Sequence, residues 1–190
     1  MPLTAPVTQH LIPMQLIIEL PSREQQLEFN RLRWTEVLAD RQLADVPYQI
    51  ETNAFGQITM NPPASGGHST RQGRITILLD RFLGGHTLPE CPLSTIDGVK
   101  AVDVGWYSGE RFVQVDGQVA FEIAPEICVE VLSPSNTKSE MQSKRTIYFE
   151  AGAEEFWICN LDSSMSFFHR DNPTESRAES HRCPEFPKSI

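Results

Sequence analysis

The segment from residue 125 to residue 135 constrains the fold of this chain more than any other. If this segment is a strand, Glu130 shares one face with Cys128 and Leu132, and the opposite face is also apolar. This pattern is typical of a strand that is buried on both faces. Ionised carboxylates are seldom buried without a partner. The segment therefore predicts a core strand whose acid is met by a cation.

A second acid and a lysine occupy comparable positions. Residues 101–106 form another strand-like run in which Asp103 is the lone acid among apolar neighbours. In the helix expected after the first strand, Met141, Lys144 and Tyr148 follow one another at spacings of three and four, so Lys144 falls in the stripe that faces the sheet. We therefore expect two carboxylates and a lysine around one edge of the sheet.

This set of residue types indicates metal-assisted chemistry. Two carboxylates with open positions suit Mg²⁺ or Mn²⁺, whereas histidine-rich zinc patterns are absent from the sequence. A bound metal activates water and neutralises charge on a phosphoryl oxygen, and a nearby lysine steadies the anionic transition state. Each residue also has a plain structural interpretation: Asp103 as an exposed edge acid, Glu130 in a salt bridge with Lys144 alone, and Lys144 with its stem along apolar surface.

Length and composition predict one cytoplasmic domain. The 190 residues carry four widely spaced cysteines, a net charge of -9, and no apolar run long enough to cross a bilayer. The acidic charge opposes non-specific binding to nucleic acid, so any such contact has to be local. We expect a domain over residues 1–170, in which 1–21 form an N-terminal arm, and a polar, flexible tail over 171–190.

The order of elements predicts an α/β (α+β) fold, with a mixed central sheet flanked by helices. Capping boxes begin helices at Ser22 and Thr137, and apolar spacing predicts another helix that ends at Gly84. A hairpin is expected over residues 48–60, and strands are expected around 91–96, 101–106, 127–132, 155–159 and 165–169.

The chain resembles the Uma-two-type restriction endonucleases, a branch of the PD-(D/E)XK nuclease superfamily, from Tyr48 to about residue 169. The matching residues are the Glu-Val-Leu-Ser-Pro-Ser run, Lys144, Tyr148, Gly152 and Phe156-Trp157-Ile158. The resemblance implies a mixed sheet flanked by helices and a divalent-metal nuclease site. It matches Asp103 to the first metal-binding acid, Glu130 to the second, and Lys144 to the lysine that this branch carries on the following helix. Leu132 stands where the wider superfamily has a strand lysine.

Three departures from the family pattern are visible. The Pro-Asp pair of the family is Val102-Asp103 here, which keeps the carboxylate. Tyr48-Gln49 stands where the family often has Tyr-Glu, so an accessory acid is missing or is replaced by Glu51. The C-terminus is short and polar where the family usually continues with strand.

Other residues are weaker candidates. His68 could approach phosphate from the start of the second predicted helix, or it could be solvated there. Four basic residues are candidates for phosphate contacts, with solvated surface as the alternative: Arg71, Arg74, Lys138 and Arg145. The leading hypothesis is a Mg²⁺- or Mn²⁺-dependent DNA endonuclease. The alternative is a non-catalytic binding module of the same fold that holds nucleic acid or a protein partner. A homodimer would suit the cutting of two strands, but no residue demonstrates it.

Overall fold

The structure is a computed structural model that describes residues 20–190. The predicted N-terminal arm over residues 1–21 lies outside the described residues, except for its last two. Residues 20–190 contain five helices: α1 (Arg23–Ala39), α2 (Arg41–Ala44), α3 (Gly66–Leu83), α4 (Gly109–Phe112) and α5 (Lys138–Glu150). The strands are β1 (Gln49–Thr52), β2 (Ile58–Asn61), β3 (His86–Thr95), β4 (Gly98–Tyr107), β5 (Ile127–Val131), β6 (Glu155–Cys159), β7 (Met165–His169) and β8 (Asn172–Arg177).

The central sheet is mixed, as the sequence predicts. Its strands lie in the order β3-β4-β5-β6-β7-β8, and all neighbours are antiparallel except β5 and β6. The parallel pair is joined by α5, because a crossover is needed to bring the chain back to the same end of the sheet. The predicted fold class is therefore confirmed.

Alternate residues of the central strands face two separate cores. Ile75 and Leu79 of α3 are fully buried against a cluster that includes Val129 of β5. On the other face, Tyr148 of α5 packs in a cluster with Cys128, which precedes Val129 in β5. The two helices therefore cover opposite faces of the sheet, and Glu130, which shares the alternation of Cys128, belongs to the α5 side.

The β1–β2 hairpin is attached to the start of β4. The Val99 amide donates to Thr52 Oγ1 at 2.9 Å, and Lys100 Nζ donates to the Thr52 carbonyl at 3.0 Å. Gly98 allows this approach because its φ is +87° and a Cβ there would overlap the Thr52 carbonyl oxygen. The hairpin thereby brings Glu51 to the central sheet.

The C-terminal segment differs from the predicted flexible tail. Residues 172–177 form β8 on β7, and Cys183 and Phe186 are buried in the core on the α3 side. The Arg182 amide also donates to the buried Glu155 carboxylate at 2.7 Å. The domain therefore continues past residue 170. The composition of this segment is mostly polar, but Cys183 and Phe186 attach it to the core.

All four cysteines are buried and free of disulfides. In the part of the chain that the structure describes, no helix is both long and apolar enough to cross a bilayer.

Candidate functional site

An open cleft of about 790 Å³ lies between the hairpin and the loop that joins β5 to α5. Residues 46–49 and 61–65 form one side, and residues 133–136 form the other. The remaining part of the lining includes Asp103, Glu130, Lys144 and His68. The structure thus brings the two predicted acids and the predicted lysine into one cleft, together with the weaker candidate His68.

Asp103 lies where β4 and β5 separate. Their ladder stops at the pair Val104 and Val129, and Asp103 and Glu130 are the next residues of the two strands. In place of a further backbone bond, Asp103 Oδ2 accepts a hydrogen bond from the Val131 amide at 2.7 Å. The side chain therefore satisfies an amide that the separating strands leave unpaired.

His68 holds the same carboxylate oxygen. It lies in the first turn of α3, where Ser65 caps the helix by accepting from the His68 amide at 3.2 Å. His68 Nε2 is 3.2 Å from Asp103 Oδ2, and this hydrogen bond raises the pKa of His68. The sequence leaves two alternatives for His68, approach to phosphate or a solvated position, and the structure instead buries it against the acid.

Glu130 is held at both carboxylate oxygens by residues one turn apart on α5. Lys144 Nζ donates to Oε2 and Tyr148 Oη donates to Oε1, each at 2.9 Å. Burial raises the pKa of Glu130 to about 8, although Lys144 opposes this effect. Burial also works against the charge on Lys144, but Glu130 and Glu51 outweigh it and raise the pKa of the ammonium.

Glu51 is a third acid beside this pair. Its Oε1 accepts from the Ala101 amide at 3.1 Å and lies 3.6 Å from Lys144 Nζ. Lys144 therefore lies between Glu51 of the hairpin and Glu130 of the central sheet. This position agrees with the expectation that Glu51 stands near the site, and its accessory role stays a prediction.

Three residues that the sequence left without a site role support this arrangement. Tyr148 is in the core, as expected, but its hydroxyl also bonds to Glu130. Gln72 Nε2 donates to the Asp103 carbonyl at 2.8 Å and to Glu90 Oε1 at 2.7 Å, while Gln49 donates to the other oxygen of Glu90. The spacing of Gln72 four residues after His68, on the same face of α3, was an available signal. No sequence signal marked Glu90, because its position depends on an unusual backbone conformation within β3, with a φ of +51°.

The four basic candidates for phosphate contacts lie outside the cleft lining. Arg71 donates to the Leu132 carbonyl at 3.0 Å, and Arg145 stacks over the Phe168 ring at 4.3 Å. Arg74 and Lys138 are exposed. The structure therefore gives Arg71 and Arg145 structural contacts, and phosphate binding by any of the four stays a prediction.

The acids fit a divalent ion that is held partly by water and substrate. Asp103 Oδ1 has no hydrogen-bond partner among residues 20–190, and it retains some contact with solvent. No three His, Cys, Asp or Glu side chains of that region are grouped to hold an ion by themselves. Mg²⁺ is usually bound through one or two carboxylates, with waters and phosphate oxygens completing its shell. The donor set thus fits Mg²⁺ or Mn²⁺ better than a closed zinc site.

Comparisons with known proteins concern the fold and the family of this chain. A protein from Anabaena variabilis, described as "a putative nuclease belonging to DUF820", has a similar crystal structure, with a TM-score of 0.61 and 17% identity over 74% of this chain and 86% of that one. At this identity the likeness shows the fold. No curated protein matches the chain. The model of the Uma2 family, described as "Putative restriction endonuclease", matches residues 37–189, and the chain therefore belongs to the Uma2 family.

Proposed function

We propose that this chain is a nuclease that hydrolyses phosphodiester bonds of DNA with Mg²⁺ or Mn²⁺. The observation that carries the proposal is the presence of Asp103, Glu130 and Lys144 in one cleft where β4 and β5 separate, with Lys144 bonded to Glu130. Membership of the Uma2 family supports a nucleic-acid substrate.

Asp103 and Glu130 are the residues that would hold the ion. Asp103 Oδ1 has no partner among residues 20–190 and is open as an acceptor, while Oδ2 is fixed by His68 and the Val131 amide, so the carboxylate is held in one orientation. Such an ion supplies a Lewis acid for the phosphoryl oxygens and lowers the pKa of bound water. His68 and Tyr148 act through the acids, because their contacts in the structure are with Asp103 and Glu130.

Lys144 is the charged donor of the cleft. An ammonium has three N–H donors, and only one is needed for the bond to Glu130. The others can donate to a phosphoryl oxygen, where charge develops as the bond to the leaving group breaks. Glu51, 3.6 Å from Nζ, keeps the lysine charged and near the cleft.

The test is cleavage of plasmid DNA, single-stranded DNA and RNA with Mg²⁺ or Mn²⁺. We expect DNA cleavage by the parent chain, and its loss in Asp103→Asn and in Glu130→Gln. Asp116→Asn is the matched control, because it removes an exposed acid outside the cleft lining. Failure to cleave DNA, or equal cleavage by Asp103→Asn, would refute the proposal.

A second candidate is a binding module of the same fold without catalysis. It is favoured by the finding that both oxygens of Glu130 already accept hydrogen bonds from Lys144 and Tyr148. Calorimetric titration with Mg²⁺ separates the two candidates. Binding that disappears in Glu130→Gln supports the enzyme, whereas absence of metal binding supports the module.

A further inference from the structure

We infer that the cleft accepts an unpaired nucleotide, so that the substrate is single-stranded DNA in preference to duplex. This inference rests on the proposed function, because it names the substrate of the same site. It follows from the depth of the acids, the charge of the cleft and an exposed aromatic ring in its wall.

The reacting phosphate has to reach groups that are nearly buried. Asp103 and Glu130 keep only 6% and 4% of their surface exposed, and both contribute to the cleft lining. The cleft volume of 790 Å³ lies within the range of about 300–1,000 Å³ that is typical of small-ligand sites. A duplex is stiff, with a persistence length of about 50 nm, so bending it into a cleft costs free energy that a flexible single strand does not incur. A flexible single strand can therefore deliver its phosphate at the lower cost.

The charge of the cleft also opposes a continuous duplex. Its lining contains four carboxylates, one lysine and one histidine, and no arginine is among the lining residues of the described chain. Binding of duplex DNA depends on several lysine or arginine contacts to phosphates along the groove. A cleft with one lysine gives little of this binding free energy, so another type of contact has to contribute.

Tyr48 supplies such a contact. It lines the cleft beside Pro47, at the start of the hairpin, and 47% of its surface is exposed. Pro62 and Pro63 belong to the same wall. Aromatic rings bind single strands by stacking on bases, which are free to stack only when they are unpaired. The wall therefore fits a base whose phosphate reaches toward Asp103 and Glu130.

The test measures binding separately from cleavage. A labelled single strand and its duplex are titrated with the protein in the presence of Ca²⁺, with fluorescence anisotropy as the readout. We expect the single strand to bind at least about tenfold more tightly, and Tyr48→Ala to weaken its binding about tenfold, as expected for the loss of one stacked base. Phe55→Ala is the matched control, since Phe55 is an exposed ring of the same hairpin segment outside the cleft lining.

The outcomes distinguish this inference from the proposed function. Equal or tighter binding of duplex, no binding of either DNA, or an unchanged affinity in Tyr48→Ala would overturn it, even if the chain cleaves DNA. A loss in Tyr48→Phe as large as that in Tyr48→Ala would also contradict stacking. Tyr48-dependent binding of the single strand without any cleavage would support the inference and refute the nuclease.

Discussion

The buried carboxylate of Glu130 makes metal binding depend on pH. In the metal-free protein burial raises the pKa of Glu130 to about 8, with Lys144, Asp103 and Glu51 as the other charges that act on it. A protonated carboxyl is a poor metal ligand, so Mg²⁺ has to compete with a proton for this residue. Mg²⁺ affinity is therefore expected to rise with pH and to level off above the pKa of Glu130.

The size of the effect follows from the fraction of Glu130 that is ionised. With a pKa of about 8, roughly one side chain in ten is ionised at pH 7 and roughly one in a hundred at pH 6. The Kd for Mg²⁺ should therefore rise about tenfold for each pH unit below 8, which is about 1.4 kcal/mol of binding free energy per unit. The hydrogen bond to Asp103 raises the pKa of His68, so protonated His68 acts in the same direction.

Calorimetric titration with Mg²⁺ between pH 6 and pH 9 is the assay, and buffers of different ionisation enthalpy count the protons released. We expect release of about one proton from Glu130 below pH 7 and almost none at pH 9. His68→Gln removes the histidine contribution and leaves that of Glu130. An Mg²⁺ affinity that does not change between pH 6 and pH 8 would refute the reasoning, and so would the same slope in Glu130→Gln.

Three further predictions concern stability and are tested by denaturant unfolding. Tyr148→Phe removes only the hydroxyl that donates to Glu130. At pH 9, where Glu130 is ionised, it should lower the free energy of unfolding by about 1.5–3 kcal/mol, the usual range for a hydrogen bond to a charged group; no loss would exclude this bond. Phe186→Ala should lower the free energy of unfolding by about 3–5 kcal/mol, because Phe186 is buried. The control Leu161→Ala, at an exposed position, should lower it by less than about 0.5 kcal/mol. Equal effects would mean that the C-terminal segment does not pack on the core. Gly98→Ala should lower the free energy of unfolding by about 1–3 kcal/mol, because φ is +87° and the new methyl would overlap the Thr52 carbonyl. A neutral effect would contradict the packing of the hairpin against β4.

The central elements could be predicted because their signals are local. The spacing of Lys144 and Tyr148 depends only on the helical repeat, and the short loop before α5 returns the helix over β5, where Glu130 lies. The capping box at Thr137 fixes the start of α5 and therefore the face that meets the sheet. The meeting of Glu130 with Lys144 follows from these features.

The contacts of Asp103 could not be predicted in the same way. The bond from the Val131 amide exists because the pairing of β4 with β5 ends at Val104 and Val129, and no side-chain pattern encodes that separation. His68 is 35 residues away in sequence and reaches Asp103 through the packing of α3 on the sheet. The C-terminal strand β8 was missed for a related reason, since its residues are almost all exposed and give no alternation of apolar side chains.

The cations already present in the cleft explain how its acids remain buried without a metal. Lys144 contacts both Glu130 and Glu51, and His68 contacts Asp103, so each of the three acids has a basic partner. The desolvation of unpaired carboxylates at these positions would cost several kcal/mol per ion. The same pairing bears on catalysis, because a divalent ion at Glu130 would share the charge of the ionised carboxylate, to which Lys144 Nζ donates at 2.9 Å. Weakening that bond would leave the ammonium freer to donate to a phosphoryl oxygen, so the residue that stabilises the metal-free site is also the one placed to act on the substrate.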